Sequence, residues 1–206
     1  MRVLVACESS GIVRDAFAAH DHDAWSCDLL PAERGHPKHL QADVGKWLTR
    51  PPCGTAWDLM IAHPPCTHLA VSGARWWKGR EHEQADALDF VRMLLAAPIP
   101  RIALENPIGR ISTAIRKPDQ IIQPWQFWAG EPGGGEVKAT CLWFKGLPKL
   151  VPTTPNETGR FPRIWRMGPS PQRSRERSRT YPGIATAMAE QWGQPRRTPR
   201  QRCTTR

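Results

Sequence analysis

Between Thr55 and the prolines at 64 and 65 the chain carries Trp57-Asp58-Leu59-Met60-Ile61-Ala62, a short apolar run without Gly or Pro. Its length and bounds predict a buried strand, and the two prolines stop such a strand and stiffen the turn after it. His63-Pro64-Pro65-Cys66-Thr67-His68 is therefore expected on a rigid loop at the strand's C-terminal edge, where open α/β sheets bind their ligands. A thiol with only a packing role sits more often inside a strand among apolar neighbours. Cys66 is accordingly a candidate reactive group.

The same punctuation recurs along the chain. Val3–Ala6 and Ala24–Cys27 read as strands, with a short helix over Gly11–Ala19 between them and a third short strand over Gln41–Val44. Glu81–Ala97 is the clearest helix, with Leu88, Val91, Leu94 and Leu95 at helical spacing and Pro98 and Pro100 ending it. Arg101–Leu104 and Thr140–Phe144 come next as strands, the second after a Gly133-Gly134-Gly135 turn, and Ile184–Trp192 is a last helix. Alternation of this kind predicts an α/β fold: a mainly parallel sheet covered on both faces. The 206 residues suit one substantial core, expected over 1–193, with a Pro- and Arg-rich segment over 150–176 and a basic tail over 194–206. Trp25, Trp57 and Trp143 are expected in the core. The adjacent Trp76-Trp77 cannot both point inward, so one could stack on a base or cover a cleft.

No apolar stretch has the length of a membrane span, and Met1–Val5 runs straight into a strand and not into a signal peptide. Cys7, Cys27, Cys53, Cys66, Cys141 and Cys203 form no C-x-x-C pair, which points to reduced thiols and a cytoplasmic setting. Charge is uneven. Residues 1–159 are neutral overall, whereas 160–206 hold twelve arginines against Glu176 and Glu190, the whole +10 of the chain. This asymmetry points to a polyanion. That every basic residue there is Arg suits forked contacts to phosphate or base.

Glu8, Asp28, Asp43, Cys66 and Glu105 all fall at strand ends, so a parallel sheet brings them to one edge. Carboxylates there suit ribose hydroxyls and an amine-bearing ligand. The loop Glu8-Ser9-Ser10-Gly11 has one glycine and a negative charge, which disfavours a pyrophosphate cofactor and is compatible with a cationic one.

The segment Pro65-Cys66-Thr67-His68-Leu69-Ala70-Val71-Ser72-Gly73, with Glu105-Asn106-Pro107 and Tyr181-Pro182-Gly183-Ile184-Ala185, resembles the DNA (cytosine-5)-methyltransferases in a compact form of the kind phage genomes carry. The resemblance covers about residues 1–145 and 177–193. It implies a Rossmann-like class I methyltransferase fold and S-adenosylmethionine as cofactor. It also implies methylation of cytosine at carbon 5 in DNA through a cysteine adduct on a flipped-out base. It places Cys66 as nucleophile and Glu105 on the base. Ala6, Glu8, Ser9, Ser10, Gly11, Asp28, Asp43 and Pro64 fall in the cofactor site. Pro65, Thr67, His68, Ser72, Asn106 and Lys138 fall on the substrate side, with Arg173, Arg175 and Arg177 on DNA. The chain departs from the family in three places. Ala6, Glu8 and Ser10 stand where the first motif has an aromatic residue and glycines. The Gln-x-Arg-x-Arg motif is matched only by Glu136-x-Lys138-x-Thr140. The large recognition domain is missing.

Other readings stay open from the residues. Cys53, His63, Cys66 and His68 have ligand types for zinc but lack its paired spacing, so no metal is expected. A fold kept without turnover would give a nucleic-acid-binding protein. A free nucleotide as substrate would account for the missing recognition domain but not for the arginines. The Pro-Pro loop also half resembles that of amino-methyltransferases, with a thiol in place of the stacking aromatic.

Overall fold

A computed structural model describes residues 1–49, 51–52, 54–128, 130, 135–154, 160–168, 170 and 177–194. Cys53, Gly133, Gly134, Arg173, Arg175, Glu176, the side chain of Trp165 and everything from Pro195 onward lie outside them. The described strands are β1 (Arg2–Ala6), β2 (Asp23–Asp28), β3 (His39–Gln41), β4 (Leu59–Ala62), β5 (Ile102–Pro107), β6 (Gln120–Ile122) and β7 (Thr140–Lys145). They form one seven-stranded sheet in the order β3-β2-β1-β4-β5-β7-β6. β1 to β5 pair in parallel, and β7 runs antiparallel to both β5 and β6. The fold is α/β with a mainly parallel sheet, as the alternation of elements predicts, and it is Rossmann-like, as the resemblance implies.

The central stretches Val3–Ala6 of β1, Leu59–Ala62 of β4 and Ile102–Leu104 of β5 are apolar because both faces are covered there. Val3, Val5, Leu59, Ile61 and Ala103 pack on α1 (Ile12–Ala18) and the C-terminal helix (Pro182–Trp192) through Val13, Phe17, Ile184, Met188 and Trp192. The alternate residues Leu4, Ala6, Met60, Ala62, Ile102 and Leu104 pack on α2 (Glu81–Ala96) through Leu88, Val91 and Leu94. Trp143 and Trp57 are buried as expected, Trp25 is partly buried, and Trp76 is 66% exposed.

Several boundaries differ from the sequence reading: β5 runs over Ile102–Pro107 and not Arg101–Leu104, which puts Glu105 inside the strand and not past its end. β4 starts at Leu59, because the Asp58 carboxylate accepts the Arg2 amide at 2.8 Å and Trp57 turns its indole N–H to the Trp47 carbonyl at 2.7 Å. β3 is His39–Gln41 and not Gln41–Val44, since Asp43 accepts the Gly45 amide at 2.8 Å and caps a 3-10 turn over Val44–Lys46. The C-terminal helix begins at Pro182, where a proline's missing N–H costs nothing. The short edge strand β6 carries no pattern of its own. Because β1 and β4 lie side by side, with β2 and β3 to one side and β5 to the other, the chain reverses direction of winding between them. The loops after β1, β2 and β4, with the end of β5, open at that switch point.

Candidate active site

A cleft of about 1090 Å³ opens at this edge of the sheet. One side is built from the loops after β1 and β2. Cys7 takes a left-handed conformation (φ 59°) and turns the chain out of β1. Glu8 then folds back, and its carboxylate accepts the amides of Val13 at 2.7 Å and Arg14 at 3.2 Å. A first-turn helix amide is where a phosphate binds in dinucleotide folds; in this chain a side chain already fills it. Burial pushes the Glu8 carboxyl up, against the opposing pull of His63 and those two amides. Gly11 takes φ 76°, a left-handed conformation in which any residue with a Cβ is strained. Arg14 is itself buried and donates to Ser26 Oγ at 3.0 Å.

The other side carries the thiol. Ala6 accepts the His63 amide at 2.9 Å, which fixes the start of the Pro-Pro loop against β1. Asn106 is buried and donates to the Pro64 carbonyl at 2.8 Å, fixing the same loop against β5. Past Cys66 the chain meets the segment after Glu105 backbone to backbone: Arg110 N–H to the Leu69 carbonyl at 2.8 Å, Val71 N–H to the Ile108 carbonyl at 3.0 Å, and an antiparallel bridge from Ala70 to Gly109. No side chain fits at Gly109, where a Cβ would be 1.9 Å from the Leu69 oxygen. Cys66 thus lies on a loop tied to the segment that follows β5, the strand that holds Glu105.

Around them sits a mixed-charge cluster. His63 Nδ1 lies 3.0 Å from Glu105 Oε2. Burial alone would push Glu105 up, but the His63 hydrogen bond and the Lys138 charge outweigh it and hold the carboxyl below its ordinary range. Cys66 is pushed up by burial and by Glu105, against the pull of Arg177 and Lys138. Lys138 Nζ donates to the Arg177 carbonyl at 2.7 Å, and Arg177 Nη2 to Ser72 Oγ at 2.9 Å. Exposed Trp76 and Arg75 stand on the rim, the guanidinium 5.0 Å from the indole centroid.

Of the residues singled out in the sequence, Glu8, Ser9, Ser10, Asp28, Pro64, Pro65, Cys66 and Thr67 line the cleft, as do Ser72, Glu105, Asn106, Lys138 and Arg177. Ala6, Gly11, Asp43 and His68 do not: Ala6 is inside β1, Gly11 and Asp43 cap helical turns, and the His68 carbonyl accepts Gln84 Nε2 at 2.9 Å. Arg173 and Arg175 lie outside the described residues. His63 was visible in the sequence only as a possible metal ligand. Among the described residues no three of His, Cys, Asp and Glu are placed to hold a metal ion, and no helix is long and apolar enough to cross a membrane.

No family model and no curated protein matches the chain. Among solved structures it is similar to a protein described as a DNA modification methyltransferase encoded within a prophage (E. coli), at 14% identity and a TM-score of 0.47. The match covers 70% of this chain and 46% of the other, so the chain spans less than half of that protein's length. The chemistry open to the cleft rests on its own side chains.

Proposed function

We propose that the chain is a DNA methyltransferase acting on carbon 5 of cytosine. The observation that carries this reading is that the Cys66 thiol and the Glu105 carboxylate line one cleft, Cys66 on a loop that backbone hydrogen bonds tie to the segment following β5 and Glu105 within β5 itself. Carbon 5 of cytosine is a poor nucleophile until something adds at carbon 6, and a thiolate is a suitable adduct former. Lys138 and Arg177 favour that thiolate. Glu105, when it shares a proton with the ring, holds N3 and the exocyclic amine of the base and stabilises the charge that develops there.

Asp28, Ser9, Ser10 and Pro64 would hold the cofactor, and the fit is electrostatic: this side of the cleft offers carboxylates, while Glu8 occupies the helix amides a phosphate would need. S-adenosylmethionine, when bound, supplies an electrophilic methyl group on a cationic sulfur. The target carbon is out of reach inside a duplex, so the base enters the cleft flipped out or single-stranded. Arg177 at the cleft, with Arg173 and Arg175 beside it in sequence, gives the phosphate contacts that offset unstacking. Trp76 on the rim is placed to stack.

Incubation with duplex DNA and methyl-labelled S-adenosylmethionine, followed by hydrolysis to nucleosides, tests the reading. Label in 5-methyldeoxycytidine is the expected result. Label in N4-methyldeoxycytidine or N6-methyldeoxyadenosine, or none, would refute it.

A further inference from the structure

Cytosine takes up a proton at N3 when a thiolate adds at carbon 6, yet Glu105 is held in its ionised form. The proton must come from elsewhere. His63 lies next to Glu105, with its side chain more than nine-tenths buried and its Nδ1 3.0 Å from Glu105 Oε2. Its other nitrogen, Nε2, is buried, and among the described residues it has no hydrogen-bond partner. His63 also lines the cleft.

The charged and titratable groups around this imidazole come from five segments. Glu8 reaches it from the loop after β1 and Glu105 from β5. Cys66 is on its own loop, and Lys138, from the segment before β7, acts on Glu105 and Cys66, as Arg177 does on Cys66. An imidazolium at this position would pair directly with the Glu105 carboxylate 3.0 Å from its Nδ1.

We propose that His63 is a positioning residue that supplies, through Glu105, the proton taken by N3 of the base; this rests on Cys66 being the nucleophile and Glu105 the group that holds the base. In the step, the Cys66 sulfur bonds to carbon 6 and the 5,6 double bond opens. Glu105 Oε2 takes the Nδ1 proton of the imidazolium, the carboxyl group turns about its Cγ–Cδ bond, and the same proton passes to N3. Glu105 ends as it began, His63 becomes neutral, and the thiolate charge is cancelled. When the sulfur leaves, the proton returns along the same path. No oxidant, reductant or further reactant is needed.

The test uses the full chain without cofactor and DNA carrying tritium at cytosine carbon 5. Adduct formation makes that carbon basic, so tritium exchanges with water and is lost. Wild-type exchange should rise with pH as the thiol ionises and fall again as His63 loses its proton, giving a bell. In His63→Asn the amide can still donate to Glu105 but carries no mobile proton. Exchange should drop about a hundredfold, within the range a general acid contributes, and the alkaline fall should vanish. A His63→Asn profile that keeps the wild-type rate and shape overturns the inference but leaves the Cys66 reading intact, provided Cys66→Ser abolishes exchange. No exchange in the wild type overturns both. If His63→Asn does not fold, His63→Gln, which also donates without a mobile proton, takes its place, and a wild-type rate and profile in that variant overturns the inference.

Discussion

Replacing Glu8 by Ala tests whether this side of the cleft is built around a cap or around a ligand. The carboxylate satisfies the Val13 and Arg14 amides at the start of α1, at 2.7 and 3.2 Å, and is 5% exposed. Losing a helix cap costs about 1 kcal/mol, and a buried amide left without an acceptor costs about 1–3 kcal/mol. Against this, removing a carboxylate that burial disfavours recovers part of its desolvation. The net loss is roughly 2–3 kcal/mol, which for a domain of this size lowers Tm by about 4–12 °C. Calorimetry of wild type, Glu8→Ala and Glu8→Gln measures it, with Gln, which keeps one acceptor oxygen, falling between the others. The pH dependence has a definite sign. The Glu8 carboxyl is raised in the fold, so the folded protein holds that proton more tightly than the unfolded chain. The advantage of wild type over Glu8→Gln is therefore larger below the unfolded value of about 4.3 and shrinks as pH rises through the folded one. A Glu8→Ala protein that melts within about 1 °C of wild type, yet no longer binds S-adenosylmethionine, would show that the group is a ligand and refute the cap.

Cys66→Ser should fold and melt like wild type but form no adduct, which a denaturing gel with DNA containing 5-fluorocytosine reads directly; trapping by the Ser variant would sink the covalent route. Alkylation of Cys66 by iodoacetamide should still be rising above pH 8.5, the ordinary range of a thiol, because burial and Glu105 push it up. The profile should move down in Glu105→Gln and up in Lys138→Met, and an unmoved profile would mean that neither charge reaches the sulfur. Gly109→Ala puts a Cβ 1.9 Å from a backbone oxygen, so it should cost about 1–3 kcal/mol of stability and lower methyl transfer further than the melting loss explains. A normal melt and normal turnover would mean that the two loops are not in contact. DNA affinity should fall with salt by about −0.9 in log slope per phosphate neutralised, with Arg177→Ala removing about one such contact. Removal of 194–206 should cost little, and salt-indifferent binding would favour a free nucleotide as substrate.

The sheet was legible because both of its faces are buried, which writes β1, β4 and β5 as unbroken apolar runs. Their ends were legible for the same reason, since a parallel sheet delivers strand ends to one edge. The antiparallel end of the sheet was not. Gln120-Ile121-Ile122 is too short to carry a period, and its place depends on Leu142, Cys141 and Thr140, some twenty residues on. The lock between the Pro-Pro loop and the segment after β5 has the same character: nothing near Gly109 in sequence announces that it lies on Leu69. His63 was hidden differently. It sits beside the cysteine in sequence, but its meaning depends on Glu105 across the sheet.

The strand-end acids show where local reading stops. A carboxylate after a strand can bind a ligand or cap the next turn, and the sequence is the same for both. Asp28 accepts the amide of Leu30 and Asp43 that of Gly45, each two residues on, as Asp side chains do in turns. Glu8 reaches the amides of α1. All three acids therefore serve the backbone first, and only Asp28 and Glu8 also face the cleft. Glu105 differs: it lies within β5, whose backbone is already paired to β7, so no turn claims its carboxylate. What claims it is the His63 imidazole, and that leaves the reactive charge of the cleft beside Cys66 and not among the acids of the first two strands.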